Sequence, residues 1–258
     1  MGLSKGSNRE LQGMANLVTD GDMDKLASDI NQFFTDVSSD LPPITREHPI
    51  FDSAMNYVPD EFIISVDVVE RVLCKIKVNK ATGPDEIPAW LVRDFAPILS
   101  RPLTAIFNAS IREGMVPEIW RSAICVPLPK KHPPQKIQND IRPIALTAIT
   151  AKAFEHVVLD MMWPYIVDKI DPDQFGSIPG TCTTDALVKL FHKWYEATDK
   201  LNHYIRILLL DYSKAFDHID INLLVNKLEN MEVPPVLVRW MAAFLFERRQ
   251  HVRIGKVR

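Results

Sequence analysis

The stretch "LLLDYSKAFDHI", residues 208–219, decides how this chain is read. With Ile207 it opens on four consecutive apolar residues, the pattern of a strand covered on both faces. The run then ends abruptly in Asp211, and Asp217 comes six residues later, just behind Phe216. A carboxylate at the end of a dry strand is costly unless something neutralises it. The strand could end at the surface with Asp211 capping the next element. A lysine or backbone donors could offset the charge. A hard divalent cation would do the same, because such ions take oxygen ligands and Mg²⁺ is commonly held by one or two carboxylates plus substrate phosphates.

Working outward, the strand predicted over "YIRILLLDYS" lies among helical patterns. Towards the C-terminus, "NLLVNKLENM" and "PPVLVRWMAAFLFERR" read as helices, and "QHVRIGKVR" as the start of another strand. Asp217 reads as a cap for the helix beginning near Ile221. Upstream, Thr183 or Thr184 caps a helix whose Leu187, Leu190, Phe191, Trp194 and Tyr195 form one stripe, read as core-facing. A helix is expected from about Ile149 to Ile166. Before it, "SAICVPLPK" and "IRPIAL" are two short strands joined by the polar loop "KKHPPQKIQND", a candidate hairpin with a basic tip. Pro127 and Pro129 argue that the first of these is an edge strand. Helical patterns run through "AWLVRDFAPILSRPLTAIFNASIREG", interrupted near Pro97 and closed by Gly114. Ser65 caps a helix bearing Val66, Val69, Leu73 and Ile76 on one face, which ends before "ATGPDEIP". The first 50 or so residues look weakly structured apart from one amphipathic helix, Met23 to about Val37. They are read as a linker or docking segment.

The order of elements gives an α/β chain with mixed connections rather than a regular βαβ series. No GxGxxG or Walker A motif occurs, so a nucleotide would have to be held by other means. Cys74, Cys125 and Cys182 stand far apart, which disfavours a disulfide framework or zinc site and suits a reduced intracellular setting. No apolar run approaches the ~20 residues of a membrane span, and the N-terminus lacks a signal-peptide pattern. The net charge of −3 hides an asymmetry. Residues 1–70 carry 4 Lys+Arg against 13 Asp+Glu, and residues 71–258 carry 26 against 20. A basic excess over the longer part suits an anionic partner such as nucleic acid.

Five stretches, in order, resemble the reverse transcriptase domain of non-LTR (LINE-type, jockey-like) retrotransposons. They are "NKATGPDEIPAWLVRDFAP", "GMVPEIWRSAICVPLPKK", "IRPIALTAITAKAFEHVV", "DQFGSIPGTCTTDALV" and "LLLDYSKAFDHI". "LASDINQFFTDVSSDLPP" is similar to the segment preceding the polymerase in such elements. The resemblance implies a right-hand polymerase fold: a linker or pre-polymerase segment over 1–59, fingers over 60–175 and a partial palm over 176–258. It implies that Asp211 is the first catalytic aspartate and binds Mg²⁺ with the backbone carbonyl of Tyr212. Lys130 and Arg142 would then meet the triphosphate of the incoming dNTP, with Lys131 an alternative to Lys130. Phe216 would lie beneath the sugar and exclude a 2′-hydroxyl, and Lys80 would contact nucleic-acid phosphates. The implied partners are an RNA template, a DNA primer and dNTPs. Ile178 stands where related polymerases often carry Arg. The "Tyr-x-Asp-Asp" motif of the family does not occur in these 258 residues. Polymerisation by these residues alone is therefore not expected. The other readings are a non-enzymatic nucleic-acid-binding remnant and an unrelated metal-dependent phosphotransferase.

Overall fold

The computed structural model describes residues 5–52, 58–199 and 203–255. Two helices open the chain, α1 (Lys5–Val18) and α2 (Met23–Asp36). Asp22 caps α2 by accepting the Lys25 N–H at 2.9 Å. The helix expected from Met23 to about Val37 is α2; the weak structure expected before it is corrected, since Lys5–Val18 is helical. Helix α1 escapes a hydrophobic count because "KGSNRELQGMANLV" buries only Leu11, Met14 and Ala15. With Leu26 and Ile30 of α2 these form a small core against Cys125, Ile137, Ile141, Val252 and Ile254.

The main core is helical. After the one-turn α3 (Pro49–Asp52) come α4 (Val66–Cys74), α5 (Ala89–Asp94), α6 (Ala96–Glu113) and the short α7 (Glu118–Arg121). Ser65 caps α4, its hydroxyl accepting the Val68 N–H, and Val69 and Leu73 are fully buried. The break between α5 and α6 falls at Phe95, with Pro97 in the first turn of α6, where a proline costs no helical hydrogen bond. Gly114 ends α6 with a left-handed φ of 60°.

Next come β1 (Ser122–Pro129), α8 (Ile137–Asp140), β2 (Ile141–Leu146) and α9 (Ile149–Ile166). Beyond them lie α10 (Thr183–Thr198), α11 (Ile221–Asn230), α12 (Pro235–Leu245) and β3 (Arg249–Val252). The strand expected over "QHVRIGKVR" thus ends at Val252, and its last three residues lie outside the described ones. An aromatic group ties α6, α7, α9 and α12 together. Phe107 stacks on Phe154 at 4.2 Å, and Trp120 and Trp240 meet Phe154 edge-on at 5.8 and 4.7 Å. Arg239 of α12 donates to the carbonyls of Ile111 and Arg112 at 3.3 and 2.8 Å. A cation is thereby set at the negative end of α6.

The three strands form one sheet in the order β2-β1-β3. β1 and β2 are the expected antiparallel hairpin, with Leu128 opposite Arg142 and Pro129 opposite Ile141. The edge position expected for β1 is corrected, since it lies in the centre. β3 pairs in parallel with Ser122 to Cys125 only, so Pro127 and Pro129 lie beyond it, where no second partner asks them for an N–H.

Four further expectations are overturned. "YIRILLLDYS" is not a strand: Leu208, Leu209 and Leu210 are 80%, 89% and 78% exposed. A strand requires a neighbouring ladder as well as an apolar sequence, and none pairs with this run among the described residues. The stripe on α10 faces solvent rather than core, with Leu187, Phe191 and Tyr195 exposed. Neither Thr183 nor Thr184 caps α10. The cap position is Cys182, whose N–H is held by the Asp185 carboxylate at 2.7 Å. Likewise Asp220, not Asp217, caps α11, accepting from Asn222 and Leu223.

Candidate functional site

The hairpin tip is built around Asp140. Its carboxylate accepts the N–H groups of Gln135 and Lys136, each at 3.0 Å, and pairs with the Lys131 ammonium at 3.1 Å. Its backbone carbonyl accepts the Lys130 N–H at 2.6 Å. The two N–H groups and then Lys131 hold the Asp140 carboxyl down at about 2. This loop separates the two lysines that the sequence left interchangeable. Lys131 is engaged by Asp140, whereas Lys130 lines a cavity.

That cavity, about 620 Å³, brings together Lys130 and Arg142 from the hairpin with Asp211, Tyr212, Lys214 and Asp217 from the segment before α11. Pockets for small ligands run to roughly 300–1,000 Å³. Cys125, Ile141 and Ala145 of the sheet line it as well, and Phe33, Phe34 and Val37 of the N-terminal region form a further side. The buried Cys125 thiol is pushed up to about 11, first by burial and then by the negative charge of Asp217. The Lys214 ammonium sits 3.9 Å over the ring of Phe33. A cation that close to an aromatic face is attracted by its quadrupole.

Of the residues singled out from sequence, Lys130, Arg142, Asp211 and Tyr212 therefore share one cavity. Phe216 does not join them; its side chain is 84% exposed. Lys80 lies in a different depression, about 480 Å³, with Lys75, Lys77, Lys152 and His156. Burial lowers the Lys152 pKa, and the charge of Lys80 adds to that lowering. Sequence reading missed Asp217, Lys214, Phe33 and Phe34 as cavity residues. The helical stripe containing Phe33 and Phe34 was visible, but its partner was not.

Two acidic residues, Asp211 and Asp217, border a space that three basic ones, Lys130, Arg142 and Lys214, also border. No group of three His, Cys, Asp or Glu placed to hold a metal occurs among the described residues. Two carboxylates are the oxygen donors that a hard cation such as Mg²⁺ takes, and it would need further oxygens from a ligand or water. No described helix is long and apolar enough to cross a membrane.

The pairing of a basic hairpin tip with an Asp-Tyr segment across one cavity accords with the sequence match. The profile of the reverse transcriptase (RNA-dependent DNA polymerase) family matches residues 128–257, and the chain belongs to that family. Its relatives place it with the jockey-like, non-LTR type. It is 24% identical over 193 residues to the RNA-directed DNA polymerase from mobile element jockey of Drosophila melanogaster, covering 74% of this chain and 21% of that protein. It is 27% identical over 190 residues to the probable RNA-directed DNA polymerase from transposon X-element of the same organism, covering 72% and 20%. For the corresponding protein of transposon BS the figures are 23% over 193 residues, 74% and 21%. The chain thus spans about a fifth of the length of these curated relatives.

Proposed function

We propose that the chain contributes the nucleotide-binding part of an RNA-directed DNA polymerase with a right-hand fold. Residues 1–59 precede the polymerase proper, 60–175 form fingers, and 176–258 begin the palm. The observation that supports this is the meeting of Lys130, Arg142 and Asp211 around one cavity.

Arg142 offers a planar fork of donors to phosphate oxygens, while Lys130 acts as a point charge. Two like charges at one hairpin tip repel unless an anion or water lies between them, and a triphosphate is such an anion. The Asp211 carboxylate and the Tyr212 carbonyl would hold Mg²⁺ carried in by the dNTP, with Asp217 beside them. When bound, the metal lowers the pKa of the primer 3′-hydroxyl and offsets charge on the phosphates. The chain's own residues orient the phosphates from one side and hold the carboxylates on the other. Phe216 excludes a ribonucleotide only if its segment turns the ring into the cavity. Lys80, with its lysine neighbours, takes template or primer phosphates.

The test is Mg·dTTP binding to the 258-residue chain by calorimetry. Binding should weaken about tenfold or more in Lys130→Ala, Arg142→Ala and Asp211→Asn, because each removes a charge-assisted contact. Unchanged affinity in all three would overturn the assignment. These residues alone should not extend a primer on poly(rA) with dTTP and Mg²⁺. Extension that survives purification and disappears in Asp211→Ala would refute that. A non-enzymatic nucleic-acid-binding role is favoured instead if RNA binds at the Lys75, Lys77, Lys80 and Lys152 depression while dTTP does not bind at all.

A further inference from the structure

The cavity has a side that the phosphate and metal assignments do not use. Phe33, Phe34 and Val37 line it. They belong to the N-terminal helical region, outside the residues matched by the family profile. Phe33 and Phe34 are partly buried against the small core that holds Leu26 and Ile30, and both also border the space shared with the basic and acidic residues. Their rings stand 6.0 Å apart and tilted by 48°. The face of Phe33 carries the Lys214 ammonium at 3.9 Å. Lys214 lies three residues after Asp211, so this contact ties the aspartate's segment to α2.

The cavity brings together the kinds of group that the parts of a nucleotide need. Lys130 and Arg142 suit the anionic tail, Asp211 and Asp217 a metal at the phosphates, and the Phe34 ring an aromatic base. We propose that α2 is the nucleoside-facing wall of the site, with Phe34 as the ring that packs on the base or sugar. Phe33 acts through Lys214 as a positioning residue for the Asp211 segment. This rests on the nucleotide reading of the cavity and extends it to residues that the polymerase match does not include. Every base has an aromatic face, so the wall adds affinity without selecting among bases.

The test separates the two halves of the ligand by comparing Mg·dTTP with Mg·tripolyphosphate on the full 258-residue chain. The wild type should bind dTTP more tightly than tripolyphosphate. Phe34→Ala should lose about fivefold or more in dTTP affinity, the lower end of what base–aromatic contacts contribute, and leave tripolyphosphate within about twofold. Phe34→Leu keeps the apolar volume in the small core. It should also lose the preference for dTTP, and it decides the matter if Phe34→Ala fails to fold. Equal wild-type affinities, or a preference that survives in Phe34→Leu, would overturn the wall and leave the phosphate site standing. Binding of neither ligand to the wild type would overturn both. For the positioning role, Lys214→Gln and Phe33→Leu should each weaken Mg·dTTP binding while leaving metal-free tripolyphosphate binding unchanged. A loss of both, or of neither, would refute that role.

Discussion

Gly83 lies where the "ATGPDEIP" turn meets the junction between β2 and α9. A Cβ built on it would stand 2.5 Å from the Thr147 carbonyl oxygen, and closer still to the Thr147 carbonyl carbon and the Ala148 nitrogen. All three obstacles are backbone atoms, and Thr147 and Ala148 are buried, so no side chain can swing aside. To reach ordinary contact the turn or the junction must move by about 1 Å, and overpacking of this kind costs ~1–3 kcal/mol, occasionally more. With all three obstacles on a buried chain segment, Gly83→Ala should fall at the upper end, about 3 kcal/mol. For a chain of this size that corresponds to a Tm lower by roughly 6–12 °C. Gly13→Ala supplies the opposite sign. Gly13 lies inside α1 with nothing within 4 Å of its Cβ position, so alanine should stabilise by ~0.5–1 kcal/mol through helix propensity. Urea unfolding monitored by circular dichroism reads both. A Gly83→Ala midpoint equivalent to within about 0.5 kcal/mol of wild type would refute the close approach.

Other outcomes test other parts of the fold. The Asp140 carboxyl is depressed from its usual 3.8 to about 2, so its contribution is present above pH ~4 and is lost as pH falls towards 2. The stability gap between wild type and Asp140→Asn should therefore close over that window, and parallel pH profiles would refute the staple. Phe154→Ala, at a side chain 0% exposed and stacked on Phe107, should cost ~3–5 kcal/mol in equilibrium unfolding. A loss below about 1 kcal/mol would mean that the aromatic group repacks. Single-stranded RNA binding should fall steeply with salt, and removing both Lys77 and Lys80 should reduce the log–log slope by ~1.4, about 0.7 for each phosphate contact. An unchanged slope would place the RNA elsewhere.

What the sequence disclosed and what it hid divide along the range of the interactions. Local signals held: Ser65 as a cap, Gly114 as a helix end, and the hairpin joining β1 to β2. Signals that depend on a distant partner did not. Ile207 to Leu210 carry the composition of a buried strand, yet burial is supplied by neighbours and not by the run itself. The α10 stripe is amphipathic in the same way and lies uncovered. Pro127 and Pro129 suggested an edge because sequence cannot show that β3 stops short of them. At the cavity, Lys130, Arg142 and Asp211 were legible through family motifs. Phe34 and Asp217 were not, because only the folded chain sets an N-terminal helix beside the segment before α11.

The parallel pairing of β3 with β1 has a consequence for how the protein assembles. Cys125 and Gln250, whose side chains meet at 3.1 Å, are 125 residues apart, whereas the hairpin partners of β1 lie a short loop away. Closing so long a loop costs little extra free energy, since each doubling of length adds only ~0.6 kcal/mol. It does slow the search, because distant contacts are rewarded late. Val252 and Ile254 enter the same small core as Leu11, Met14 and Leu26. The N-terminal helices therefore lack their full apolar seat until the region around residue 250 has found β1. The aromatic wall of the cavity should be among the last features to become ordered, with the hairpin tip already formed and waiting for it.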